Sequence, residues 1–157
     1  MKLDDYLFHT IERSDFLSGF IVGHLVLESL MKKVVRKHDN GLGNYADKLK
    51  FSSLVGLCLE IGVLTKPQQT TMNAINKMRN KLAHNLEYEP SRQELKTLFE
   101  LARGSFSDMT DGLSQGIEAL SDPNWKHESG DYTLSDLFIQ IAYDLDLFDE
   151  QGGKCES

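Results

Sequence analysis

The sequence predicts an all-α protein, an up-and-down bundle of about five to six helices. Apolar residues recur every three to four positions through most of its 157 residues. No segment alternates apolar and polar residues between hairpin turns, which argues against strands. Capping-box pairs precede two of the periodic segments, and glycine or proline separates others. Short connections between such segments favour antiparallel neighbours.

A long helix dominates the predicted first part of the chain. A short helix over roughly residues 3–13 precedes it, and the long helix covers roughly residues 14–38 with one apolar face. Gly19 and Gly23 lower its helix propensity, but they also allow another helix to approach closely. We expect this helix to end in the turn-rich sequence HDNGLGN.

The third and fourth predicted helices are separated by clear boundary signals. The third covers roughly residues 46–61, and Gly62 is placed to cap its C-terminus. Thr65 and Gln68 have capping-box spacing, so a fourth helix is expected over roughly residues 65–84.

The last part of the chain is predicted to form two more helices. Ser91 and Glu94 repeat the capping-box spacing and open a fifth helix, which is weakened by three internal glycines and ended by Pro123. Residues 124–131 read as a loop, after which Thr133 is expected to cap a final amphipathic helix.

Charge divides the chain into two parts. Up to residue 103 it has 15 Lys+Arg and 12 Asp+Glu, and beyond that residue it has 2 and 12. We expect one domain over residues 1–150, with a four-helix core over about 3–103 and an acidic helical hairpin over about 104–150. Residues 151–157 are expected to be a disordered tail. Such a charge split marks either an interaction surface or a solvated acidic face.

Composition limits the classes of protein that fit this chain. Hydrophobic residues make up 40% of it, and no apolar run reaches the length of about 18 residues that a membrane-spanning helix needs. Asp4 and Asp5 stand where a signal peptide is basic, so we expect a soluble, cytoplasmic protein. Cys58 and Cys155 fit neither a disulfide framework nor a zinc site, and we expect no metal and no cofactor.

The segment RNKLAH carries the densest set of reactive side chains. It places the guanidinium of Arg79, the amide of Asn80 and the imidazole of His84 near the end of the fourth helix. Asn76, Asn80 and His84 form a polar row at i, i+4 and i+8. Arg79 lies about 140° from His84 around the helix, and its long side chain closes part of that gap. We expect one shared pocket; the alternative is that Arg79 pairs with a neighbouring acid and His84 with free helix carbonyls.

This string resembles the R-x(4–6)-H motif of HEPN domains, a superfamily of small α-helical nucleotide-binding and RNA-cleaving domains. The polar residue after Arg79 and the preceding long helix with an internal acid also suit that pattern. The region from about Ser14 to Tyr88 is similar to the bacterial mannitol-operon-repressor-like branch. The resemblance covers roughly half of the chain and leaves the acidic part unexplained.

The resemblance implies metal-independent cleavage of RNA in a cleft between two subunits of a homodimer. His84 is expected to act as general acid or base on a ribose 2′-OH, because imidazole exchanges protons near neutral pH. Arg79 is expected to hold the scissile phosphate, and Asn80 to orient the imidazole or the phosphate. Bacterial domains of this kind often act as toxins or phage-defence effectors that a partner protein restrains.

Several side chains of the long helix are candidates for supporting roles. Glu28 is either a partner that tunes Arg79 or His84, or half of an i, i+4 ion pair with Lys32. His24 is expected to be a packed or hydrogen-bonded histidine rather than a catalyst. The basic end of the helix either binds the RNA backbone or complements the helix dipole, and its residues are Lys32, Lys33, Arg36, Lys37 and His38.

Two alternatives to the nuclease stay open on the sequence. The first is a non-catalytic transcriptional regulator of the mannitol-operon-repressor type, which acts through protein–protein contacts; no basic recognition helix for DNA is evident. The acidic last third fits that alternative, since it repels nucleic acid. In the second, this third shields the basic part until a partner displaces it.

Overall fold

The computed structural model describes residues 2–5, 7, 15–85, 87–128 and 131–150. Within these ranges it contains no strand, and the all-α class is confirmed. Its helices are α1 (Phe16–His38), α2 (Asn40–Ala46), α3 (Phe51–Glu60), α4 (Lys66–His84), α5 (Arg92–Ser105), α6 (Gly112–Leu120) and α7 (Thr133–Glu150). Of the short helix predicted over 3–13, residues 3–5 and 7 are helical, and the rest lies outside the described residues. So does the predicted tail.

The long helix α1 lies at the centre of the bundle and packs against α2, α3, α4 and α7. The close approach predicted at Gly23 is confirmed, since a Cβ atom there would lie 2.4 Å from the ring of Phe138 on α7. Phe20 meets the same ring edge-on, with centroids 5.1 Å apart. The glycine therefore offsets its low helix propensity by allowing tight packing between helices.

The long helix ends at His38, within HDNGLGN as predicted, but the rest of this turn-rich sequence forms a further helix, α2. Asp39 caps both helices. Its backbone N–H donates to the carbonyl of Val35 at the end of α1, and its carboxylate accepts from the backbone N–H of Leu42 at 2.9 Å at the start of α2. Gly43 lets α2 lie directly on α1, since a Cβ atom there would be 2.7 Å from the Cβ of Arg36. The next helix, α3, accordingly begins at Phe51 rather than near residue 46.

The boundaries predicted around α4 are confirmed. Gly62 has a φ of +81°, which suits glycine in the turn after α3. Both hydrogen bonds of the capping box between Thr65 and Gln68 are present at the start of α4. The buried stripe of α4 also follows the prediction, and its residues are Met72, Ile75, Met78 and Leu82.

The single fifth helix predicted from Ser91 to Pro123 is wrong, because the structure divides it into α5 and α6. Asp108 and Asp111 between them adopt left-handed backbone conformations. The carboxylate of Asp108 accepts from the backbone N–H of Leu113 at 2.7 Å and so supports the start of α6. Gly116 lies against the ring of Phe99 and allows α6 to pack closely on α5.

The last helix, α7, joins the acidic part of the chain to the common core by packing against α1, α5 and α6. Thr133 is its first residue rather than its cap, and its backbone N–H and hydroxyl both donate to Asp131. Leu137, Phe138 and Ile141 on α7 are fully buried or nearly so. The acidic part of the chain therefore also contributes apolar side chains to the common core.

Candidate functional site

Helix α4 carries the candidate site, and its composition is one-sided. Its 19 residues include four lysines and arginines but no aspartate or glutamate. The apolar stripe packs inward against α1, α3 and α5. The outer surface of α4 is consequently polar and positively charged, with no acid of the same helix to neutralise it.

Arg79 is half-buried and has unused hydrogen-bonding capacity. Its Nη1 donates to Asn80 Oδ1 at 3.2 Å. Its Nε is buried and has no hydrogen-bond partner among the described residues. An unsatisfied buried donor costs about 1–3 kcal/mol. The predicted alternative of an ion pair with a neighbouring acid is not found within the described ranges.

His84 is the last residue of α4 and is exposed to solvent. The helix ends there because Asn85 adopts an extended conformation while its backbone N–H donates to the carbonyl of Lys81 at 3.0 Å. No hydrogen bond joins the imidazole to Arg79 in the described part of the chain. The two proposed catalytic groups thus lie on the same helix end without a hydrogen bond between them in the described residues.

A buried hydrogen bond ties the middle of α4 to α1. His24 is only 5% exposed, and its Nε2 lies 2.9 Å from Asn76 Oδ1. Its ring stacks on Phe51, with centroids 4.0 Å apart. Burial lowers the pKa of His24, and the charge of Arg79 lowers it further, while Asn76 and Glu28 oppose the shift. The histidine is therefore a packed, neutral one, as predicted.

This bond removes Asn76 from the polar row that the sequence analysis assigned to it. The row now consists of Asn80 and His84, which are both exposed. The pairing with His24 spans 52 positions of the chain, so helical spacing gave no signal for it. The available sign was a mid-helix asparagine, whose poor helix propensity calls for a polar partner.

Glu28 adopts the ion pair that was the alternative to a supporting role. Its Oε1 lies 3.7 Å from Lys32 Nζ on the next turn of α1. Its charge also acts on His24, whose pKa it raises against the effect of burial. Glu28 is thus an electrostatic neighbour of the His24–Asn76 pair, and no hydrogen bond or ion pair links it to Arg79 within the residues described.

The basic end of α1 is engaged by its neighbour α2. The guanidinium of Arg36 forms an ion pair with Asp47 and donates to Asn44 Oδ1 at 3.0 Å. Lys33 and Lys37 are exposed on the same helix end. Lys32 and Arg36, which were predicted to bind RNA, therefore make ion pairs within the chain.

A groove between α4 and α5, which local sequence patterns did not predict, adjoins the exposed residues of α4. Lys77, Lys81, Tyr88 and Glu94 are among the residues that line it. The Nζ of Lys81 lies 5.5 Å from the centroid of the Tyr88 ring, and the Tyr88 hydroxyl donates to Glu94 Oε2 at 2.6 Å. Burial, followed by this carboxylate, raises the pKa of Tyr88 to about 12. The tyrosine therefore stays neutral and keeps donating at physiological pH.

The remaining chemistry of the described residues is limited. They contain no group of three or more His, Cys, Asp or Glu placed to hold a metal ion. Cys58 is buried, and burial raises the pKa of its thiol to about 12, so it is not a thiolate nucleophile at neutral pH. None of the described helices is both long enough and apolar enough to span a bilayer.

Comparison of the chain with protein-family models, curated proteins and solved structures found no match. The predicted resemblance to HEPN domains therefore stays a prediction from the residues of the RNKLAH segment. Function has to be argued from the chemistry of α4 and its neighbours.

Proposed function

We propose that this protein binds RNA along the outer surface of α4 and cleaves it without a metal ion, as a HEPN-like endoribonuclease. One observation carries the proposal. The last two turns of α4 combine an arginine with an unused buried donor, an exposed amide and an exposed imidazole, on a helix without acidic residues. A polyanion is attracted to such a surface, and the imidazole supplies the proton transfer that RNA cleavage needs.

The proposed reaction uses the RNA's own 2′-hydroxyl as the nucleophile. His84 takes or gives the proton while the 2′-oxygen bonds to the adjacent phosphorus and the bond to the 5′-oxygen breaks. The products are a 2′,3′-cyclic phosphate and a free 5′-hydroxyl. Arg79 stabilises the charge that develops on the phosphate, and Asn80 holds the guanidinium or the phosphate in place.

The active form in this proposal is a homodimer, as the resemblance to HEPN domains implies. A second subunit across a two-fold axis supplies the missing group to each half-site.

Mixing two inactive variants, Arg79→Ala and His84→Ala, tests this arrangement. Random exchange makes half of the dimers mixed, and each mixed dimer regains one intact site, so about a quarter of the wild-type activity returns. A site within one chain regains none.

The primary experiment incubates purified protein with total RNA at neutral pH in EDTA. Wild-type protein is expected to cleave, to leave cyclic-phosphate ends, and to lose activity about 100- to 10,000-fold in His84→Ala. His38→Ala is the matched control, since His38 is also an exposed histidine at the last position of a helix. Equal losses in the two variants, or cleavage that persists in His84→Ala, contradict the proposal. Relief of toxicity on expression by Arg79→Ala is an independent readout.

The second candidate is a non-catalytic regulator that acts through protein contacts. Large apolar side chains exposed on α1, α7 and the segment before α7 favour it, and they are Leu25, Tyr132 and Leu147. Isolated exposed apolar residues are common, however, and only a contiguous patch marks an interface. Intact RNA with wild-type protein, together with a stable dimer by light scattering, favours this candidate over the nuclease.

A further inference from the structure

The groove between α4 and α5 has the size and lining of a ligand site. Its volume is about 310 Å³. Met78 and Leu98 contribute buried apolar surface to it, whereas Lys77 and Lys81 are exposed along α4. The two lysines are four residues apart and so share one side of the helix. The groove therefore offers an apolar floor beside a positively charged edge.

One carboxylate, that of Glu94, is held in a fixed position within this lining. It accepts from the Tyr88 hydroxyl at 2.6 Å and from the backbone N–H of Ser91 at 3.2 Å. These hydrogen bonds, with the Tyr88 bond first, lower the pKa of Glu94, so that it is ionised at neutral pH. An ionised carboxylate retains further lone pairs for N–H donors of a ligand.

The same side of α4 leads from the groove to the proposed catalytic imidazole. His84 follows Lys81 by three positions and Lys77 by seven, and all three residues are exposed. Three- and seven-residue spacings place them in one row along the helix. A chain that lies across the two lysines therefore continues directly to His84.

We infer that this groove binds one base and the adjoining phosphates of single-stranded RNA, next to the scissile phosphate. Lys77 and Lys81 contact the phosphates, the base lies on the apolar floor beside Tyr88, and Glu94 accepts a hydrogen bond from the base. Single-strand sites commonly combine a positive groove with apolar and aromatic surface in this way. The inference rests on the proposed function for its substrate, but it makes predictions about binding alone.

Glu94 gives the groove a predictable base preference. Adenine, cytosine and guanine each carry an exocyclic amino group that donates a hydrogen bond, and uracil carries none. An ionised carboxylate can therefore accept a hydrogen bond from the amino group of the first three bases, whereas uracil offers it only the ring N3–H, which lies between two carbonyl oxygens that repel the carboxylate. Glu94→Gln is a conservative test, because glutamine also serves at this position of a capping box.

The experiment measures fluorescence anisotropy with labelled 2′-O-methyl RNA oligonucleotides, which cannot be cleaved because the 2′-hydroxyl is blocked. Lys77→Ala/Lys81→Ala is expected to weaken binding about tenfold or more at low salt. It is also expected to reduce the slope of log affinity against log salt by about 1.4, since each phosphate contact on a single strand contributes about 0.7. Oligo(A) is expected to bind more tightly than oligo(U), and Glu94→Gln to narrow that difference.

The matched control is Lys48→Ala/Lys126→Ala, which removes two exposed lysines outside the groove and changes the net charge equally. Unchanged binding in the control supports the groove, and an equal loss in both double variants overturns it. Thermal melts show whether each variant is folded. We expect folded variants, because the substituted lysines are all exposed. Wild-type affinity in a folded Lys77→Ala/Lys81→Ala protein also overturns the inference.

The proposed RNA-binding groove and the proposed nuclease activity can be contradicted separately. Protein that binds the blocked oligonucleotides through Lys77 and Lys81 but leaves natural RNA intact supports the groove and contradicts the nuclease. Protein that cleaves RNA with an unchanged KM in the double-lysine variant supports the nuclease and contradicts the groove.

Discussion

The C-terminal ends of α1 and α4 look alike in sequence but differ in structure. Both helices end in an exposed histidine, His38 and His84, preceded by lysines and an arginine. At the end of α1, Arg36 is bound by Asn44 and Asp47. At the end of α4, the arginine has an asparagine as its partner and keeps a buried donor without one.

The difference shows that the partners of basic residues, rather than their number, decide what a basic helix end can do. Arg36 stabilises the docking of α2 on α1, and an RNA phosphate has to displace Asp47 to reach its guanidinium. An arginine without an acid nearby offers its charge to a ligand at no such cost. We therefore propose the RNA site on α4 rather than on the end of α1, although α1 has more basic residues in its last turn.

The largest expected effect separates the two arginines by activity. Arg79→Met is expected to lower kcat/KM for RNA cleavage about 100- to 1,000-fold, because a donor that stabilises the developing charge is lost. Arg36→Met is expected to lower it less than about twofold, since its guanidinium serves α2 rather than the substrate. Single-turnover cleavage assays on both variants measure the contrast. Comparable losses in the two variants mean that the comparison between the helix ends is wrong.

The next prediction perturbs the packing of α2 on the end of α1 without changing a charged residue. Gly43→Ala is expected to lower the free energy of unfolding by about 1–3 kcal/mol, because its Cβ would meet the backbone of Arg36 at 2.8 Å. Urea denaturation measures the change. Gly56→Ala on α3 is the control, since no neighbouring atom lies within 4 Å of its Cβ. That helical substitution is expected to stabilise the protein by about 0.5–1 kcal/mol, and destabilisation by both glycine variants argues against a specific contact between α1 and α2.

A smaller effect concerns the attachment of α4 to α1 and depends on pH. The pKa of His24 is lower in the folded protein than the ordinary value of 6.5, so the unfolded chain binds the proton more readily. Its contribution to stability is complete above about pH 6.5 and is lost as the pH falls toward the folded pKa. His24→Gln is expected to flatten the fall in unfolding free energy on this acid side.

The measurement compares wild-type and His24→Gln protein. Equilibrium denaturation between pH 5 and pH 8 follows both proteins. An identical pH slope in wild-type and His24→Gln protein rules out a buried, neutral His24 as the source of acid sensitivity.

The smallest expected effect concerns the ion pair beside the basic end of α1. Lys32→Ala breaks the i, i+4 pair with Glu28, whose atoms are 3.7 Å apart and partly exposed. Such pairs contribute only about 0.3–0.5 kcal/mol, so the urea midpoint hardly moves. A loss above about 1 kcal/mol indicates instead that Lys32 supports α1 through its packing.

Local signals in the sequence predicted much of the fold. The capping box at Thr65, the glycine at position 62 and the apolar stripe of α4 each act within a few residues, and all three are present in the structure. The errors arose where a short segment depends on a distant surface. Helix α2 consists of residues that favour turns, and it is helical because Asp39 caps it and Gly43 lets it lie on α1.

The candidate site divides in the same way. Spacing along one helix predicted the exposed row of Asn80 and His84, because helical periodicity is a local property. The bond between Asn76 and His24 and the groove beside Tyr88 required α1 and α5 to be in place. No local pattern encodes which residue of another helix will face a given side chain.

The chain's amino-acid order by itself determined the helical class, the start of α4 and the concentration of basic and titratable groups at its end. These features follow from hydrophobic periodicity, capping and composition, which act over a few neighbouring residues. Only the tertiary structure decided that Arg36 is bound by α2 while Arg79 retains an unused donor. The physical reason is that the availability of a charge depends on which groups the packing of other helices brings to it.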